Sequence, residues 1–187
     1  MDAAAQYAFA YALTTTAGVR AMFALAAVAV AVHFGWLHSP SGFAWLGSPA
    51  AMWILVAFAV AEFLADKVPL LDHAVHLLQV AGKPAAGAIL VGGSVHAQSH
   101  QLLVALMVLG ALNALGIHAA VASLRGASTV TTGGAANPFI SLAEDAGAAA
   151  SLIIAFLAPL VAAIIAVAFS AVLVLLARSA YRRIRTV

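Results

Sequence analysis

Residues 138–178 read PFISLAEDAGAAASLIIAFLAPLVAAIIAVAFSAVLVLLAR. As one helix this run would be far longer than the roughly 30 Å hydrocarbon layer it is apolar enough to enter. Pro159 stands near its middle. Proline costs little at the first position of a helix, where its missing N–H has no intrahelical partner. The run therefore reads as two helices, 138–157 and 159–178, turning at Pro159. The other arrangement is one strongly tilted helix kinked at the proline, which membranes tolerate.

Composition extends this reading to the whole chain. It is 65% hydrophobic and 7% charged, with mean hydropathy +1.10, whereas soluble domains carry about 25% charged residues. The bilayer must be the solvent for most of the surface. There is no cysteine, which excludes disulfides and thiolate metal sites. The pI near 9.4 comes mostly from a short basic C-terminal tail, 178–187, so nucleic acid is not an expected partner. No basic segment precedes an apolar core at the N-terminus, so no cleaved signal peptide is expected.

Further spans are expected at 18–34, 50–66 and 101–122, where apolar length approaches or exceeds about 17 residues. The stretch PAAGAILVGGSV, 84–95, is short and reads either as a crossing or as a re-entrant segment. Residues 3–13 read as an interfacial helix or as the first turns of helix 1. In 70–81, LLDHAVHLLQVA, the leucines and alanines share one face and Asp72, His76 and Gln79 the other, which suits a helix on the membrane surface.

With 84–95 crossing, the fold class is an all-α polytopic bundle of about six spans. Lys67, Lys83, Arg125, Arg178, Arg182, Arg183 and Arg185 then share one side with both termini, and Arg20 lies near it. The opposite loops, HFGWLHSPSGFAWLGSP and HAQSHQ, have neither Lys nor Arg. By the positive-inside rule the shared side is cytoplasmic. Trp36 and Trp45 then mark the outer interface, and the expected location is the cytoplasmic (inner) membrane.

A weak internal repeat accompanies this layout. YALTTTAGVRAMFALA and STVTTGGAANPFISLA align Thr15, Thr16, Gly18 and Phe23 with Thr131, Thr132, Gly134 and Phe139, making 1–95 and 96–187 candidate halves of a single domain. Each TT-x-G reads as a helix start, with threonine hydroxyls capping free N–H groups and glycine allowing close approach. Asn137-Pro138 repeats that grammar as cap and first position. A helix N-terminus can hold an anion. The alternative is plain capping with tight packing of small residues.

Charges inside the spans carry the functional reading. In AEFLADKVPLLDH, from Ala61, the chain leaves the membrane: Asp66-Lys67 ends a helix, Pro69 turns it and Asp72 opens a surface helix. Glu62 lies too deep to be a boundary marker, and Glu144 likewise. Arg20, Glu62, Asp66, Lys67, Glu144 and Asp145 fall in one layer of the cytoplasmic half. Acids facing lipid near mid-span cost about 2.5 kcal/mol or more, so they should face inward and pair with Arg20 and Lys67. Ionisable groups within spans are functional candidates; a buried ionic lock is the alternative. Asp72, His73 and His76 could hold a divalent metal ion through imidazole and carboxylate, or form the polar face of a surface helix. His38, His96, His100 and His118 support no motif. No nucleophile elbow, H-E-x-x-H or P-loop occurs, so the chain is not expected to be an enzyme, and no cofactor is expected.

The ordered set AGVRAMFALAAVA, WLGSP, AEFLADKVPLLDH, GKPAAGA and ASTVTTGGAANPFISLAEDAGA resembles a bacterial family of small multi-pass membrane proteins, the domain of unknown function 4126. The resemblance spans most of the chain and implies membrane residence and a single domain; it carries no catalytic roles. The expected function is transport of a small solute or ion. Glu62, Asp66, Glu144, Asp145, Arg20 and Lys67 would form the charged site, and Thr15, Thr16, Thr131, Thr132 and Asn137 would supply polar ligands. A structural or partner-binding role and a lipid-acting enzyme are the alternatives. Abundant small residues point to a homo-oligomer, most simply a dimer.

Overall fold

A computed structural model describes residues 1–65 and 72–185; within these, the side chains of 65, 72–78, 180–181 and 183–185 lie outside the description. The described residues are helical, without strands. In chain order they form α1 (Ala3–Val19), α2 (Ala21–His33), a 3₁₀ helix (Ser41–Gly47), α3 (Pro49–Ala65), α4 (Asp72–Ser94), α5 (His100–Thr132), α6 (Asn137–Leu157) and α7 (Pro159–Arg185).

Among the described residues α5, α6 and α7 are each long and apolar enough to cross a membrane. The 3₁₀ helix and α3, bent by 64° at Ser48, make a fourth span if counted together. The run 138–178 divides as its proline requires. Alpha-6 ends at Leu157, Ala158 is extended (φ −147°, ψ 74°), and Pro159 opens α7.

Alpha-1 is the hub, packed against α2, α4, α5, α6 and α7. It is not an interfacial helix: Phe9, Ala12, Leu13 and Ala17 are fully buried. Burial of this stripe on five neighbours, rather than a one-sided apolar face, explains why a strong amphipathic pattern is missing from its sequence. Its N-terminus is capped by Asp2, whose Oδ1 accepts the Ala5 N–H at 2.7 Å. Phe9 meets Phe156 of α6 edge-on at 5.0 Å.

Several helices run past or stop short of the bounds expected from sequence. The surface helix 70–81 and the segment 84–95 are, from Asp72 onward, one helix that carries Pro84 inside it. The expected span 101–122 continues to Thr132. The basic tail from Arg178 to Arg185 continues α7. The expected span 18–34 is interrupted: Arg20 is extended (φ −134°, ψ 90°) between α1 and α2.

Neither TT-x-G starts a helix. Thr14, Thr15 and Thr16 lie near the end of α1, and Thr131 and Thr132 end α5. Their hydroxyls donate backward to carbonyls of the same helix: Thr16 to Ala12 at 2.9 Å, Thr131 to Ala127 at 2.9 Å and Thr132 to Ser128 at 2.7 Å. This intrahelical bonding competes directly with the capping role. Gly133 (φ 62°) then takes the left-handed position that closes α5, a conformation that favours glycine. Asn137 is the first residue of α6, following Ala136 as its cap.

Close approach replaces large side chains in the core. A Cβ on Gly87 of α4 would run into the carbonyl of Gly110 on α5, and one on Gly18 would overlap Ile117 Cβ. Small residues therefore set the α1–α4–α5 spacing, as in helix packing within lipid.

Candidate functional site

The break at Arg20 leaves backbone groups that a continuous helix would satisfy internally. Two charged side chains from other helices take them. Glu62 of α3 accepts the N–H of Ala21 on Oε1 at 3.1 Å and that of Met22 on Oε2 at 3.0 Å. Lys83 of α4 donates from Nζ to the Val19 carbonyl at 3.0 Å. The acid thus sits at the positive end of α2 and the ammonium at the negative end of α1, each where the helix dipole favours it. No proline breaks this helix; the two caps make the interruption affordable.

Arg20 itself is 3% exposed and reaches α6. Its Nη2 lies 2.8 Å from Asp145 Oδ1 and 3.6 Å from Glu144 Oε2, and it donates to Ser141 Oγ at 3.0 Å. Arg125 of α5 completes the set: its Nε donates to Glu144 Oε1 at 3.0 Å and its Nη2 bonds Oε2. Among the described residues three basic side chains, Arg20, Lys83 and Arg125, and three acidic ones, Glu62, Glu144 and Asp145, gather at the break. Partnering of this kind is what burial of charge demands.

Of the charges expected in one layer, Arg20 meets Glu144 and Asp145, and Glu62 caps the helix that begins beside Arg20. Asp66 and Lys67 lie outside the described residues. Lys83 and Arg125, read from sequence only as charges on the side shared with the termini, lie on helices within the cluster, and Lys83 is 3% exposed. The stretch GKPAAGA places a lone lysine directly before small residues, and that was the available signal for a buried cation.

Thr15 and Thr16 are buried beside the break. Asn113 of α5, not foreseen, donates from Nδ2 to Thr14 Oγ1 at 2.9 Å and to Thr15 Oγ1 at 3.0 Å. Thr16 Oγ1 and Ser151 Oγ of α6 are 2.8 Å apart. Replacing Asn113 with leucine is expected to cost about 1 kcal/mol, the usual size of an interhelical bond in lipid, read as a drop of a few degrees in melting temperature in detergent. Thr131, Thr132 and Asn137 are not brought to the cluster. Asn137 Nδ2 donates to Thr129 Oγ1 at 3.0 Å, and the bonds of both threonines stay within the α5–α6 turn. Among the described residues no group of three or more His, Asp or Glu stands as a metal site; the side chains of Asp72, His73 and His76 lie outside the description.

A cleft of about 540 Å³ opens between α2, α3 and α6. Phe23, Ala27, Val30, Val56 and Val60 form much of its apolar wall, and Arg20, Glu62 and Asp145 line it as well. The helix break and its Glu62 cap thus border the cleft, while Lys83 caps the break from the other side.

These features define an all-α membrane protein built round an interrupted helix. The chain belongs to the family described as a domain of unknown function, DUF4126, whose model matches residues 7–179. No curated protein and no solved structure matches it.

Proposed function

We propose that this protein carries a small solute or ion across its membrane through the cleft beside Arg20. The observation that supports it most is the interrupted helix. Transporter sites are commonly built where a helix is unwound, with half-helix ends turned to charged groups. Here Glu62 and Lys83 occupy those ends, and the cleft reaches Glu62. Glu62 is the group that binds the solute or carries a proton, and Arg20 with Asp145 shapes the same wall. The topology belonging to this reading has six spans, with α1 and α2 as one broken span followed by α3 to α7. Both termini are cytoplasmic, and the unit is a homodimer in the inner membrane, for which native mass spectrometry in mild detergent is the check. No chemical step on the solute is involved.

The test is flux in proteoliposomes across protons, alkali cations, organic cations and organic anions. Glu62→Gln is expected to reduce the flux at least about tenfold, the weight of one lost charged contact. Absence of flux across the panel, together with full cellular function of Glu62→Gln, would end the transport reading.

One observation favours a second reading, a packing lock: each charge of the cluster already has a partner inside the protein. Exchanging Arg20 with Asp145 discriminates. Restored folding with restored cellular function supports the lock; restored folding with lost function supports transport.

A further inference from the structure

Residues 159–177 of α7 carry no charge, and at 1.5 Å per residue they extend for about 28 Å. That is close to the roughly 30 Å of the hydrocarbon layer. Arg178, the next residue, therefore stands where α7 passes from acyl chains to headgroups. The helix does not stop there but runs on to Arg185. Packing fixes the same level from inside. Ala177 of α7 and Leu124 of α5 both pack on the apolar cluster that holds Val19 of α1. Arg178, Arg125 and Arg20 are the residues that follow these three, so three arginines stand at about one depth.

They differ in what they meet. Arg20 and Arg125 turn to the acids of α6. Arg178 is exposed, and among the described residues it has no hydrogen bond or ion pair. Arg182 is exposed as well, one turn further on and on the same face of the helix. A guanidinium has five N–H donors, so a contact within the protein leaves Arg182 others to give.

A positive charge at a helix C-terminus also suits the helix dipole and orients the chain in the membrane. Lysine serves either purpose. The tail 178–187 has four arginines and neither a lysine nor an acid. The planar fork of arginine meets two phosphate oxygens at once, and the phosphate available at this depth is that of a lipid headgroup.

We propose that Arg178 and Arg182 form a binding site for the phosphate of an anionic phospholipid, in the leaflet at which α7 ends. Alpha-7 contributes no wall to the cleft, so this site is independent of transport.

The chain has no cysteine, so a bimane label on Ser179→Cys reports the lipid beside Arg178. The full chain is reconstituted in phosphatidylcholine vesicles that contain a small share of nitroxide-labelled quencher, either phosphatidylglycerol or phosphatidylcholine. The anionic quencher is expected to act at a lower mole fraction, by about fivefold for each arginine that it meets. The double variant Arg178→Gln with Arg182→Gln should bring the two quenchers level. Arg178→Gln alone, at an exposed residue, should lose about fivefold of the preference, and it keeps the test valid if the double variant does not fold. A label on Gln101→Cys, at the opposite end of α5 from Arg125, should be quenched equally by both lipids. Equal quenching beside the intact arginines, a preference unchanged in a folded variant, or the same preference at Gln101→Cys would each overturn the proposal. Loss of the preference on adding inorganic phosphate at constant ionic strength would assign the arginines to free phosphate and overturn the lipid site.

Discussion

Replacing Arg20 with methionine is expected to destabilise the protein by about 3–5 kcal/mol, the usual cost of removing one partner from a buried charge pair. Asp145 loses its contact at 2.8 Å and Ser141 Oγ its donor at 3.0 Å. Glu144 retains Arg125, so the contact at Asp145 is the larger loss. The double variant Arg20→Met with Asp145→Leu should recover part of the loss, because the charge left by the first substitution is then removed. Thermal unfolding monitored by size-exclusion chromatography in detergent reads both. If the single variant melts within about 2 °C of the wild type, a shift below 1 kcal/mol for a chain of this size, the ion pair has no structural weight.

The second large effect is steric. In Gly87→Val, the new side chain would enter the carbonyl of Gly110 and stand against Ala114 Cβ. The obstacle is backbone, which cannot rotate away as a flexible side chain can. Overpacking of this kind usually costs 1–3 kcal/mol, and a backbone obstacle places Gly87→Val at about 3 kcal/mol or above. Gly147 of α6 is the internal control, since a Cβ there meets nothing within 4 Å. Gly147→Ala should be neutral or stabilising by up to about 1 kcal/mol, from helix propensity alone. Equal melting temperatures for the two variants would mean that α4 and α5 do not touch at Gly87.

What could be read from the sequence is what the bilayer enforces. Apolar length separates helices, and Pro159 divides 138–178 because a proline ring cannot sit in a mid-helix position without cost. The cost of charge in lipid placed Arg20, Glu62, Glu144 and Asp145 together. The break at Arg20 could not be read, because its cause is tertiary. VRAMFA holds neither proline nor a cap, and only the arrival of Glu62 and Lys83 from other helices satisfies the opened backbone. Lys83 itself was hidden by the same logic, since its acceptor, the Val19 carbonyl, is freed only by the break. The TT-x-G pairs were misread because threonine serves both ends of helix grammar: it caps a start when non-helical and bonds back to a carbonyl when helical. Their similarity still has content, as both lie in the closing turns of a helix.

A cleft that works as a site at Glu62 must be open to a charged solute. The chain has no cysteine, so a single introduced thiol reports alone. Ala59→Cys places it on the cleft wall one turn before Glu62, and Ala12→Cys, fully buried in α1, is the closed control. Reaction rates in membranes should be measured with a trimethylammonium and with a sulfonate methanethiosulfonate reagent. A working cleft requires Ala59→Cys to react far faster than Ala12→Cys with at least one of the two reagents. Equal, negligible rates at both positions with both reagents would contradict it and leave the charges of α2, α3 and α6 as a dry lock.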